Sequence, residues 1–255
     1  MRSVATLRAS QGAPGPVAAA PAGFGAIVEH AEQTFAARLD GHPVAIPAAH
    51  ARATRTLPGG GELALRTAHW TASAHGDMRW VRLRSPKIDI VSVFFYPHAH
   101  RSLPLYAMEF VLLGKRPIVA VMDLVAPRAD ADARITAARI LQTAHSRHPE
   151  QLNHPDAPSW FEDCRSGNDF FLRPAGEGLA AFAAADGIHA ALWTDLLDAI
   201  AGGTPAAAGL AAERAAFVAD YKAHHRANSP GLPLLHKSFG QDWTDDFLAN
   251  GFFGP

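Results

Sequence analysis

Three short apolar runs, at residues 88–96, 105–113 and 118–124, constrain this chain more than anything else in it. They read IDIVSVFFY, LYAMEFVLL and IVAVMDL, each bounded by Pro, Gly or His-rich turn material. Runs this short, rich in Val, Ile, Phe and Tyr and apolar on both faces, describe strands covered on both sides rather than amphipathic helices. The link Gly114-Lys115-Arg116-Pro117 is short enough for an antiparallel hairpin, and residues 97–104 suit a longer one. If Tyr96 pairs with Leu105, Ser92 falls opposite Glu109. Alternation then puts Ile90, Ser92, Phe94 and Tyr96 on one face with Leu105, Ala107, Glu109 and Val111. One carboxyl thus stands in the middle of an oily sheet surface. Ionised there without a fixed cation it costs roughly several kcal/mol, so it stays protonated or meets a charged ligand. By the same parity Asp123 falls on the opposite face and reads as structural.

The flanking segments supply layers for this sheet. Residues 24–39 carry a helical stripe of Phe24, Ile27, Val28, Ala31, Phe35 and Leu39, closed by Gly41 and Pro43. Residues 48–58 have no clear period and read as a loop. Residues 62–71 and 78–83 read as strands leading into the hairpins, giving five or six antiparallel strands in all. An alanine-rich helix is expected over 129–142, with Ile135, Ile140 and Leu141 available to pack on the sheet. A short strand follows at 170–173, then helices over 178–201 and 205–227 separated by Gly202-Gly203, and short helices over 234–239 and 243–250. The expected fold is a three-layer α/β/α sandwich with a central, largely antiparallel sheet. Residues 1–22, rich in Ala, Pro and Gly, read as a flexible tail, and 23–255 as a single domain.

Composition narrows the function. With 48% hydrophobic residues and a net charge of −1 the chain can bury a core but has no global attraction for nucleic acid or an anionic membrane. A single cysteine, Cys164, excludes an internal disulfide framework and fits a reducing cytoplasm, the expected compartment. No apolar run is long enough to span a bilayer, and residues 1–22 lack the continuous apolar core of a secretory signal. Neither a GxGxxG fingerprint nor a P-loop is present. His98 and His100 share one side of an extended segment, but no third ligand stands at a fixed spacing, so no metal site is expected.

The blocks IDIVSVFFYP, SLPLYAMEF, IVAVMDLVAP, FFLRP and NSPGLPLLHKSFGQDWTDDFL occur in that order from about residue 78 onward. In order and spacing they resemble the ferredoxin-dependent bilin reductases. The resemblance implies an antiparallel sheet between helices, with an open-chain tetrapyrrole held between sheet and C-terminal helices. It implies reduced ferredoxin as electron donor, protons from acidic or imidazole side chains, and no bound flavin, nicotinamide or metal. Glu109 falls where these enzymes typically carry the aspartate that protonates the bilin, and is therefore the expected catalytic residue. A glutamate there is also similar to red chlorophyll catabolite reductase, a plant relative. Ser92 falls where the phycocyanobilin-forming enzymes have a histidine. Asn228-Ser229 falls where many members have Asn-Asp, and the lysine that often follows is Pro230 here. These losses fit a two-electron reduction better than a four-electron one.

Substrate contacts are expected from Ser92, through its hydroxyl, and from Arg173, through a bidentate bond to a propionate. His98 is expected at the pocket mouth, and His225, Asn228 and Ser229 on the helix end brought over the ligand. Of His224 and His225 only one can face inward. Lys115 and Arg116, at a hairpin tip, suit an acidic ferredoxin, though a charged turn also serves simply to meet solvent. The reading is reduction of a linear tetrapyrrole, biliverdin first, with ferredoxin and that tetrapyrrole as partners. Its alternatives are a chlorophyll-catabolite-like substrate and a non-catalytic bilin carrier.

Overall fold

The computed structural model describes residues 23–254 apart from 59, 152, 204 and 208, so the expected tail at 1–22 lies outside the described residues. Among the described residues eight strands form one antiparallel sheet. They are β1 (His42–Val44), β2 (Arg52–Thr56), β3 (Glu62–Ala72), β4 (Gly76–Ser85), β5 (Ile88–Pro97), β6 (Leu105–Leu113), β7 (Arg116–Val125) and β8 (Phe170–Leu172). From β3 to β8 neighbours in sequence are neighbours in space, while β1 and β2 both pair with the outer edge of β3. The two extra edge strands come from segments too polar and too short to show alternation: HPV, and RATRT within the stretch expected to be a loop. A four-residue helix, α2 (Ala48–Ala51), joins them.

Helices cover both faces. On one side lie α1 (Phe24–Leu39), α3 (Ala131–Arg147) and α5 (Ala183–Ala201), the last entered through a 3₁₀ turn at Leu179–Phe182. The buried residues of α1 are the six of its sequence stripe. They meet Phe95, Tyr106, Met108 and Phe110 of the sheet together with Trp193, Leu196 and Leu197 of α5. In α3, Ile140 and Leu141 are buried as expected, but Ile135 is 64% exposed. On the other side lie α6 (Ala211–Asn228), α7 (Leu232–Phe239), α8 (Gln241–Asp246) and a π-helical turn at Phe247–Phe252. Tyr221, Phe239, Phe247 and Phe252 pack there on Leu63, Leu65, Phe94, Tyr96 and Leu105. A helix α4 (Ser159–Glu162) precedes β8. The architecture is an α/β/α sandwich.

One irregularity changes which side chains share a face. Through the turn at Gly114 the pairing begins Leu113 with Arg116 and Leu112 with Pro117. Continued unbroken, it would set Asp123 opposite Tyr106, on the far face from Glu109. Instead the register shifts, Val111 pairs with Val119, and Ile118 is the extra residue of a β-bulge. Proline in β7 sits at this bulge, where a missing N–H costs least. Beyond it Ala107 pairs with Asp123 and Glu109 with Val121, so Asp123 lies on the same face as Glu109. The parity expected from a regular hairpin is thereby corrected.

Candidate active site

Glu109 projects from the middle of β6 toward α6–α8, directly across from Ser92 of β5, in the register read from the sequence. Ser92 Oγ donates to Glu109 Oε2 at 3.0 Å. Desolvation raises the Glu109 carboxyl above the ordinary glutamate range, and the Ser92 bond opposes this. The carboxyl therefore holds its proton more tightly than an exposed glutamate does, the direction a general acid needs.

Asp123 is the second carboxyl on this floor, and it is almost wholly buried. Its Oδ1 accepts from Leu124 N at 2.7 Å and from Ser166 Oγ at 2.5 Å, and its Oδ2 accepts from Ser166 N at 2.8 Å. Burial pushes its pKa up to about 7 despite the bonds from Ser166, with Asp169 pushing the same way.

The roof comes from α6. Phe217, Tyr221 and His225 recur at i, i+4, i+8 and face the sheet side, a stripe visible in the sequence but not singled out there. Tyr221 lies within electrostatic reach of Cys164, Asp123, Tyr96 and Glu109, and burial lifts its phenol well above the usual range. The His225 ring stands 4.4 Å from that of Tyr221 and meets Phe94 and Trp160 edge-on, each at 5.6 Å. Its Nε2 is 3.8 Å from Cys164 Sγ. Desolvation, aided by His224, holds His225 down to about 4, so near neutral pH it is an uncharged aromatic wall and hydrogen-bond acceptor. His224 points elsewhere, its Nε2 2.6 Å from the Trp160 carbonyl oxygen, so of the pair it is His225 that packs on the sheet, while His224 lines a separate, larger cleft.

The remaining expected residues lie further out. Arg173 is exposed at the sheet edge, its guanidinium 5.3 Å from the Phe171 ring. Its Nη1 donates to Ile118 O at 2.6 Å, the carbonyl of the extra residue of the bulge. Asn228 is exposed and folds back to donate to His224 O at 2.9 Å, while Ser229 Oγ accepts from Gly231 N at 3.3 Å. His98 lies past the end of β5, 3.8 Å from Asp77 and beside His100. It lines a cleft of about 480 Å³ with Tyr96, Lys222 and Phe253. Among the described residues no three His, Cys, Asp or Glu side chains are grouped to hold a metal.

A larger cleft, of about 1030 Å³, opens on the other side of α6, between the end of β7, α3 and residues 163–168. Tyr221, Cys164, Ser166 and Phe217 line it, as do Arg128, Arg134, Arg165 and the outward-facing Ile135. Glu109 is not on its wall, but Tyr221 belongs to both places. Apolar lining with a few convergent polar groups is the usual make-up of a small-molecule site.

These features define an α/β/α sandwich whose sheet holds two carboxyls of raised pKa beneath an aromatic roof, next to a roomy cleft. The chain belongs to the ferredoxin-dependent bilin reductases: the family profile matches residues 28–254. It is thus a bilin oxidoreductase with ferredoxin as its electron donor. It is 27% identical over 198 residues to 15,16-dihydrobiliverdin:ferredoxin oxidoreductase of Synechococcus sp. (strain WH7803), covering 72% of this chain and 80% of that one. The crystal structure of phytochromobilin synthase from tomato in complex with biliverdin superposes with a TM-score of 0.74 at 12% identity, over 90% of this chain and 82% of that one. That likeness establishes the fold. Among the described residues no helix is long and apolar enough to cross a membrane.

Proposed function

We propose that this enzyme reduces an open-chain tetrapyrrole, biliverdin first, by sequential one-electron transfers from ferredoxin, each followed by protonation, through bilin radicals. Glu109 is the principal proton donor. The observation that carries this is the carboxyl of Glu109, its pKa raised by desolvation in the centre of the sheet face and its oxygen held by Ser92. A neutral acid in that position can protonate a radical anion and stabilise the charge it develops. The tetrapyrrole spans from Glu109 past Tyr221 into the large cleft, where Arg128 and Arg134 are placed to meet its carboxylates. His225, Phe94 and Trp160 supply flat apolar walls suited to pyrrole rings.

A two-electron step is favoured by the serines at positions 92 and 229 and by the dihydrobiliverdin in the name of the cyanobacterial relative. The test is an anaerobic absorbance time course of the protein with biliverdin, ferredoxin and a ferredoxin-reducing system. The expected result is a bound-bilin spectrum that passes through radical bands to a dihydrobiliverdin identified by chromatography. Binding without change would leave the carrier reading. Reduction only of a chlorophyll-derived linear tetrapyrrole would give the other alternative, which Glu109 itself favours.

A further inference from the structure

Reduction of one carbon–carbon double bond consumes two protons, and Glu109 holds one. The position where the resemblance implies a second aspartate is Ser229, which has none to give. The β-bulge at Ile118 brings a different carboxyl, Asp123, onto the same sheet face. We propose that Asp123 and Ser166 form the second proton source, a relay in which the Ser166 hydroxyl donates to the bound tetrapyrrole and Asp123 restores its proton. The inference rests on the tetrapyrrole-reductase reading above and deepens it.

Three observations converge. Ser166 is exposed and lines the large cleft, whereas Asp123 is buried behind it, so the serine is the only one of the two that can meet a ligand. The two oxygens are 2.5 Å apart, a distance suited to proton transfer. The direction of transfer is set by Asn168, whose N–H donates to Ser166 Oγ at 3.0 Å. When Asp123 is protonated on Oδ1 and donates to Ser166, both lone pairs of the serine oxygen are occupied, and its own hydrogen must point away, into the cleft. When Asp123 is ionised, the serine hydrogen turns back to it. The protonation state of the buried acid therefore switches the serine between donor to ligand and donor to aspartate. With Asp123 titrating near 7, both states are populated at neutral pH.

The balance closes. Two reduced ferredoxins each give one electron to the tetrapyrrole, whose π bond breaks. One proton leaves Glu109 and one leaves Ser166 Oγ, forming two new bonds to hydrogen on the substrate. The Oδ1–H bond of Asp123 breaks as the serine O–H is remade, and both carboxylates recover protons from solvent. The groups facing Asp123 are Asp169 from the approach to β8, Cys164 from the turn after α4 and Tyr221 from α6. Arg165 pairs with Asp169 at 3.6 Å and moderates its influence.

The test uses the full chain with biliverdin and reduced ferredoxin, comparing the wild type with Asp123→Asn, Ser166→Ala and Ser166→Thr. Asp123→Asn lacks an acidic proton and keeps a single oxygen, enough for only one of the Leu124 and Ser166 N–H groups that the two carboxylate oxygens accept. Ser166→Ala changes an exposed residue and guards against a folding defect in the first variant. The expected outcome for both is unchanged biliverdin affinity with turnover lower by about 10- to 100-fold and a bilin radical that persists. Loss of the wild-type fall in rate as pH rises through about 7 should accompany it, with Ser166→Thr restoring rate and profile. If Asp123→Asn and Ser166→Ala both turn over with the wild-type rate and pH profile, the relay is wrong while the reductase reading stands. If the wild type reduces no linear tetrapyrrole, that reading falls and the relay with it.

Discussion

The two faces of the sheet are built from the same strands but solve different problems. Toward α1, α3 and α5 the polar atoms are few and mostly paired within the face. The Trp70 and Trp80 N–H groups both donate to Glu32 Oε1, at 2.9 and 2.8 Å, and Tyr106 OH meets His189 Nδ1 at 2.7 Å. Trp193 stacks on Phe35 and donates to Thr34 Oγ1 at 2.9 Å. Toward α6–α8 the floor carries Ser92, Glu109 and Asp123, with clefts on either side of α6. The first face is packed for stability. The second leaves carboxyls desolvated, at a cost in stability, and that cost raises the pKa of both Glu109 and Asp123.

The contrast can be broken most strongly on the dry side. Trp193→Ala empties a fully buried site and should destabilise the fold by about 3–5 kcal/mol in denaturant titration, while molecules that remain folded keep their turnover. Loss of turnover per folded molecule would mean that the two faces are not separable.

On the site face the stability effect should depend on pH. Asp123 titrates at about 7 folded against an ordinary value of 3.8, so the native state holds its proton more tightly than the unfolded chain. Its contribution is full below pH 3.8 and is lost as pH rises toward 7, a change of up to about 4 kcal/mol between those limits. Asp123→Asn should therefore flatten the fall in stability between pH 4 and 8, measured by chemical denaturation across that range. A slope equal to that of the wild type would show that Asp123 is ionised in the native protein.

The smallest effect is expected at Ser92. Its hydroxyl favours the charged form of Glu109, so Ser92→Ala should raise the Glu109 pKa further and move the alkaline limb of the rate profile upward. The loss of one such bond corresponds to about 1 kcal/mol, or a few-fold in rate. A downward move would mean that Ser92 stabilises the acid rather than the anion.

Much of this division was legible in the sequence. The stripe of α1 and the pairing of Ser92 with Glu109 follow from periodicity and one loop length, because a buried face punishes any slip of register. Asp123 was misplaced because a bulge adds one residue without altering composition. Its only local trace is Pro117 in a strand, and the group that satisfies the Ile118 carbonyl, Arg173, is distant in sequence. Strands β1 and β2 were missed in part for a related reason: an exposed edge imposes no alternation. Of the roof, His225 was anticipated, and Tyr221, four residues before it on the same helical stripe, follows once His225 is taken as the inward-facing residue.

The central claim is that Glu109 is the neutral acid that protonates the reduced tetrapyrrole. Its most direct test is a single-turnover anaerobic reduction by Glu109→Gln, a variant that keeps the shape and an oxygen acceptor for Ser92. The account predicts biliverdin binding like that of the wild type, with product formation slowed by about 100-fold or more and a radical accumulating after the first electron. Reduction by Glu109→Gln at the wild-type rate would contradict it.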